Sequence, residues 1–164
     1  MIRNPHDKIV ERLKKANQYG QVRVDQQIPG LNDECRPDLA ISNDNEITVI
    51  DVTCPFENGD SALANADYAK VMKYEHVKAH FQSRGMKCNG FGFVIGSLGT
   101  WHPNNKAVLR SLGMSRCYKS LFRKLCCSDV IQGSTDIYHQ HMNNKDLSTT
   151  FSDLNNNISN VTSM

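Results

Sequence analysis

The sequence predicts an α/β protein of the α+β type, with a mixed central β-sheet of about four strands flanked by helices. Three observations lead to this prediction. Apolar residues recur at helical spacing near the start of the chain and again in its middle. Short runs rich in β-branched residues are bounded by Gly, Asn and Asp. These segments follow one another in the order helix, three strands, helix, strand, two helices.

The elements can be placed one by one. Apolar residues at helical spacing predict a first helix over residues 6–16. An alternating run at 21–25 predicts a half-buried strand, and two further strands follow as a hairpin. The longest predicted helix covers 61–84, has a face of alanines, and is ended by Gly85. A buried strand over 90–96 and two helices complete the order.

Length and composition limit the function classes. A chain of 164 residues with 39% hydrophobic residues can build one proper core. It contains no apolar run of membrane-spanning length and no apolar signal segment at its start, so we expect no membrane association and an intracellular location. We predict a folded domain over residues 1–142 and a polar, disordered tail over 143–164, which is rich in Asn, Ser and Thr.

Two aspartates mark the edges of the predicted hairpin. Asp38 follows Arg36-Pro37, where proline directs the chain into the first strand, and Asp51 ends the apolar run 47–50. Folding the hairpin brings the two carboxylates to neighbouring points of the sheet. Two carboxylates at a sheet edge form the minimal oxygen site for Mg²⁺ or Mn²⁺. The alternative is that both are ordinary turn or surface aspartates, because Asp is common at both kinds of position.

Cations accompany these carboxylates in two places. Lys70 and Lys73 lie on one side of the central helix, which follows the Asp51 strand and packs back over the sheet. The alternative is two solvated helix lysines. Residues 106–128 contain six Lys or Arg and no acid, which favours a polyanionic partner over a merely solvated helix face.

With these residues in place, the sequence resembles the restriction-like endonuclease domain of site-specific non-LTR retrotransposons, a branch of the PD-(D/E)xK nuclease superfamily. The resemblance is carried by R-P-D at 36–38, I-D-V-T-C-P-F-E at 50–57, A-K-V-M-K-Y at 69–74 and G-S-L-G-T-W at 96–101, with a similar stretch at 128–134. It extends over residues 6–142. It implies a restriction-endonuclease-like fold.

The resemblance also implies roles for particular residues. The implied metal ligands are Asp38, Asp51 and the carbonyl of Val52, and Lys70 or Lys73, supported by Tyr74, would act on the phosphate. The superfamily pattern has a lysine two residues after the second acid, where this chain has Thr53. The retrotransposon branch takes its lysine from the next helix, which leaves the choice of lysine open. The predicted nucleic-acid-binding residues are Arg36, Arg110, Arg116, Lys119 and Arg123.

The implied function is a divalent-metal-dependent DNA endonuclease, a phosphodiester hydrolase that nicks duplex DNA in the target-site cleavage step of retrotransposition. The implied cofactor is Mg²⁺ or Mn²⁺, and the implied location is the nucleus. Reverse transcriptase and zinc-knuckle domains of a parent polyprotein are the implied further partners. Two alternatives remain open: a nucleic-acid-binding remnant that does not cleave, and a structure-selective nuclease similar to junction resolvases.

Overall fold

Four strands form a mixed sheet in the computed structural model, which describes residues 4–32 and 34–161, with side chains up to residue 143. The strands are β1 (Gln21–Val24), β2 (Leu39–Asn43), β3 (Glu46–Thr53) and β4 (Lys87–Val94), and they lie side by side in that order. The first three pair antiparallel, whereas β3 and β4 pair parallel. This confirms the predicted mixed sheet. Strand β4 begins and ends earlier than predicted because its pairing starts opposite Glu46.

Helices flank the sheet, as predicted. Within the described residues they are α1 (Pro5–Ala16), α2 (Ala62–Lys73), α3 (Glu75–Gln82), α4 (Asn105–Ser111) and α5 (Arg116–Val161). Helix α1 begins where the Asn4 side chain accepts a hydrogen bond from the His6 N–H, and Pro5 occupies a first-turn position that needs no donor. Among the described residues, no helix combines the length and the apolar character needed to cross a membrane.

The helix predicted over 61–84 is divided in two at Tyr74, so that prediction was wrong. Tyr74 has φ −106° and ψ 9°, and its N–H donates to the carbonyl of Val71, which tightens the last turn of α2. The break redirects the chain so that α3 buries Val77 and Phe81 against the sheet. Burial of these side chains and of Tyr74 outweighs the continuous helix that local propensity favours.

The sheet separates two hydrophobic cores. Side chains alternate along β3, so Ile50 and Val52 enter the core formed with α1, α4 and α5, whereas Ile47 and Val49 enter the core beneath α3. By the same alternation, the side chain of Asp51 lies on the second face, beneath α2. A carboxylate therefore occupies a position that the strand pattern reserves for a buried side chain.

The predicted division at residue 142 falls within α5, whose described backbone continues to Val161. Side chains from 144 onwards and residues 162–164 lie outside the part that the structure describes. The division into a domain over 1–142 and a tail over 143–164 stays a prediction.

Candidate active site

Asp51 is almost completely buried, with 2% of its surface exposed, and two lysines contact one of its oxygens. The Nζ atom of Lys70 lies 2.8 Å from Oδ2, and the Nζ atom of Lys73 lies 3.3 Å from the same oxygen. A buried carboxylate requires such partners, because desolvation without compensation is costly. The ion pairs explain how Asp51 is tolerated inside the fold.

Gly92 on β4 allows α2 to approach the sheet closely enough for this contact. Gly92 is the Cα partner of Asp51 in the parallel ladder, and a Cβ at Gly92 would lie 2.7 Å from the Asp67 side chain of α2. At Gly90, by contrast, a Cβ would meet Tyr74 at an ordinary contact distance of 3.7 Å. Lys70 lies one helical turn beyond Asp67 on the face turned towards the sheet. Its ammonium group thereby reaches the neighbouring strand β3.

Asp38 is connected to Asp51 through the main chain. The Asp38 N–H donates to Asp51 Oδ1 over 3.3 Å, and the Val52 N–H donates to Asp38 Oδ2 over 2.7 Å. The N–H and C=O groups of one strand residue point to the same side, so the Val52 carbonyl is also directed towards Asp38. These reciprocal hydrogen bonds hold both carboxylates and the strand end in one arrangement.

His6 joins the cluster from the first turn of α1. Its Nε2 lies 3.0 Å from Asp38 Oδ2, and this hydrogen bond raises the pKa of His6 to about 9. The side chain of Asp38 is one-fifth exposed and lines an open cleft of about 380 Å³ together with His6 and Glu11. Asp38 is thus the carboxylate that solvent and a ligand can reach from this side.

The charges of the site act on Asp51 in opposite directions. Burial raises the pKa of its carboxyl, but the hydrogen bond and charge of Lys70 together with the charge of Lys73 lower that pKa by more, so the net shift is downwards. Asp51 is therefore ionised at neutral pH.

Tyr74 completes the site beneath the lysines. Burial and the nearby Asp51 carboxylate raise the pKa of its phenol far above the ordinary value, so the hydroxyl stays protonated. This hydroxyl is buried and has no hydrogen-bond partner among the described residues. The ammonium group of Lys73 lies 4.9 Å from the centroid of the Tyr74 ring, within range of a cation–π contact.

The structure brings together six of the residues singled out in the sequence: Asp38, Asp51, Val52, Lys70, Lys73 and Tyr74. Arg36 is exposed two residues before Asp38. The other predicted nucleic-acid-binding residues lie apart from the carboxylates, around a second cleft between α4 and α5; they are Arg110, Arg116, Lys119 and Arg123.

Sequence reasoning missed His6, because no local pattern indicates a contact between residues 32 positions apart. Glu11 of the same helix also lines the Asp38 cleft. Within the described residues, no group of three or more His, Cys, Asp or Glu side chains is arranged to hold a metal ion.

Fold and site together define a mixed α/β protein with two linked carboxylates and two lysines at one edge of its sheet. No family model matches the chain. The chain is 28% identical over 144 residues to a retrovirus-related Pol polyprotein from the type-1 retrotransposable element R2 of Popillia japonica. The match covers 84% of this chain and 29% of that polyprotein, and it agrees with the resemblance to retrotransposon proteins found in the motifs.

Among solved structures, the chain is similar to the small subunit of a heterodimeric restriction endonuclease. The sequence identity is 10%, the match covers 82% of this chain and 88% of that chain, and the TM-score is 0.34. A score of that size does not establish a shared fold. The implied partner domains and the nuclear location stay predictions.

Proposed function

We propose that this chain is a metal-dependent DNA endonuclease that hydrolyses phosphodiester bonds in duplex DNA. The observation that carries the proposal is the contact of Lys70 and Lys73 with one oxygen of a buried Asp51, whose other oxygen is bonded to the Asp38 N–H. The charge is concentrated where a fold normally has apolar contacts, which is typical of a functional site. The similarity to a retrotransposon polyprotein supports the same proposal.

The donor set fits a hard divalent cation such as Mg²⁺ or Mn²⁺. The carboxylates of Asp38 and Asp51 and the Val52 carbonyl are oxygen donors, which such ions prefer, and these ions retain several waters of their own. The hydrogen bond from the Val52 N–H to Asp38 Oδ2 holds Asp38 and Val52 together. When bound, the cation would make water more acidic and offset negative charge on the scissile phosphate.

The remaining roles fall to groups of the chain itself. Lys70 has the shorter contact and the more buried side chain, 28% exposed against 48% for Lys73. We assign Lys70 to orient the attacking water and to stabilise the charge that develops on the phosphate, for which a compact ammonium group is suited. Lys73 is more exposed and is assigned to contact a non-bridging phosphate oxygen. The ring of Tyr74 is assigned to support Lys73 through its contact with the ammonium group.

Nicking of supercoiled plasmid tests the proposal. The wild type should nick plasmid with Mg²⁺ or Mn²⁺ and lose this activity in EDTA, and Asp51→Asn should be inactive while still retarding DNA in a gel. Asp51→Asn keeps the shape of the side chain, and circular dichroism checks that the variant is folded. Nicking by Asp51→Asn at the wild-type rate would refute the assignment.

A second candidate is a nucleic-acid-binding domain that does not cleave. It is favoured by the basic residues between α4 and α5, which lie apart from the carboxylates and do not depend on them. DNA retained in a gel by a wild type that does not nick under any metal condition would support this alternative.

A further inference from the structure

We propose that the cleft between α4 and α5 binds an unpaired segment of nucleic acid, with one base stacked on Trp101 and the adjacent phosphates on the surrounding cations. The inference goes beyond the proposed cleavage and does not depend on it, because the cleft shares no residue with the Asp38–Asp51 site. It names the form of nucleic acid that this second surface takes.

The cleft is strongly cationic. It has a volume of about 560 Å³. Its lining comprises Trp101, Lys106, Leu109, Arg110, Arg116, Lys119, Ser120 and Arg123. The five Lys and Arg side chains of this lining form no ion pair with any residue whose side chain the structure describes. Five uncompensated like charges repel one another, so the surface is suited to a ligand that carries several negative charges.

Trp101 gives the cleft an aromatic wall that is held in place from behind. Its ring contacts the buried ring of Phe93 edge-on, with 5.4 Å between centroids, and its main chain pairs with Ile95 at the end of β4. Glu57 fixes the preceding loop by accepting hydrogen bonds from the N–H groups of Leu98 and Thr100. The orientation of the indole is thus set before any ligand binds.

On the side of the cleft, the Arg123 guanidinium lies 5.7 Å from the centroid of the Trp101 ring. Arg123 is exposed and has several rotatable bonds, so it can move aside to admit a planar group and then stack on it or bind its phosphate. An aromatic ring and an arginine facing each other within a basic cleft are the groups that bind unpaired bases.

The aromatic wall is what distinguishes an unpaired strand from a duplex. A duplex presents phosphates to a basic surface, but its bases are already stacked on one another, so the ring face of Trp101 would gain nothing from it. An unpaired nucleotide offers both a base for the indole and a phosphate for the cations. The charges alone would suit either form, and Trp101 decides between them.

The chain allows a direct test because Trp101 is its only tryptophan. A single strand of about 12 nucleotides, a length within the range that one binding domain covers, should quench the tryptophan fluorescence of the whole chain. A duplex of the same sequence and an abasic strand of the same length should bind without comparable quenching. DNA and RNA strands are compared in parallel to identify the source of the unpaired segment. Equal quenching by the abasic strand, or none by any single strand, would overturn the proposal.

Two variants extend the test. Trp101→Leu keeps an apolar group against Phe93 and should weaken single-strand binding roughly 10- to 100-fold, with little effect on duplex binding. Arg123→Gln should weaken binding of both forms and lower the salt-dependence slope by about one. Lys14→Gln, an equal charge change on the exposed end of α1, is the control and should do neither. If Trp101→Leu does not fold, the fluorescence quenching of the wild type still tests whether a base stacks on Trp101. Plasmid nicking by the wild type tests the proposed cleavage independently of these binding measurements. Failure of one proposal is therefore distinguishable from failure of the other.

Discussion

The ammonium group of Lys70 and the carboxylate of Asp51 lie 2.8 Å apart, although the residues are 19 positions apart in sequence and belong to different elements. The contact exists because Gly92 of β4 lets α2 lie directly on the sheet. A buried carboxylate is held ionised, and the cation beside it is the group that we propose to act on the phosphate. The position of one helix therefore determines the chemistry of the site.

Removal of the Lys70 charge should affect cleavage more than removal of the Lys73 charge. We expect Lys70→Met to lower the nicking rate by about 10²-fold or more, because one charge-stabilising group is lost, and Lys73→Met to have a smaller effect. Initial nicking rates at saturating Mg²⁺ measure this. Lys78→Met on α3, which removes a partly exposed lysine paired with Glu75, is the matched control and should cleave normally. A larger loss in Lys73→Met would reverse the assignment of the two lysines.

The contact between α2 and the sheet should be sensitive to a methyl group added at Gly92 of β4 and insensitive to one added at Gly90 of the same strand. In Gly92→Ala the new Cβ would lie 2.7 Å from the Asp67 carboxylate and 3.2 Å from the Asp67 carbonyl oxygen. The Asp67 side chain must therefore turn aside, and the main chain of α2 must move by a few tenths of an ångström. We expect a loss of about 1–3 kcal/mol in the free energy of unfolding, together with slower nicking, because both lysines move with the helix.

Gly90→Ala is the control for that change, since its Cβ would meet Tyr74 at an ordinary 3.7 Å. Urea unfolding of the two variants makes the comparison. Equal stability of Gly92→Ala and the wild type would show that α2 is not seated as closely as described.

The pairing of His6 with Asp38 should stabilise the metal-free protein in a pH-dependent way. The folded-state pKa of His6, about 9, lies above the ordinary value of 6.5, so folding favours the protonated form. The stabilisation is complete below pH 6.5 and is lost as the pH rises through about 9. The stability difference between the wild type and His6→Gln in EDTA, measured across this range, should shrink towards alkaline pH. A difference that stays constant with pH would contradict the charged pairing.

Asn105 should contribute to stability out of proportion to its size. Its completely buried side chain accepts a hydrogen bond from the Val94 N–H and donates one to the Val94 carbonyl, which joins the end of β4 to the start of α4. Asn105→Ala leaves the buried Val94 N–H without this partner and removes one of the two donors to the Val94 carbonyl, which also accepts a hydrogen bond from the His102 N–H. We expect a loss of about 1–3 kcal/mol in the free energy of unfolding. Thermal and urea unfolding measure this, with the exposed Asn58→Ala as control. If Asn105→Ala lowers the free energy of unfolding no more than Asn58→Ala does, water must replace the lost hydrogen bond to the Val94 N–H.

The sequence by itself determined the order of helical and strand segments apart from the break at Tyr74, together with the hairpin and the two aspartates at its ends. These features depend on periodicity, turn residues and proline, which act between neighbours in the chain. Asp38, Asp51, Lys70 and Lys73 could be named for the same reason, because each stands at the edge of a predicted strand or on one face of a predicted helix. The site roles of Val52 and Tyr74 came from the family resemblance instead.

Only the tertiary structure decided the break at Tyr74, the approach of His6 to Asp38 and the division of the basic residues from the carboxylates. The break at Tyr74 serves burial against a strand that follows later in the chain. His6 meets Asp38 because α1 packs across the sheet, and Trp101 meets Arg123 because α5 lies beside the end of β4. Such contacts join residues far apart in sequence, and their free energy comes from packing and burial that no local pattern records.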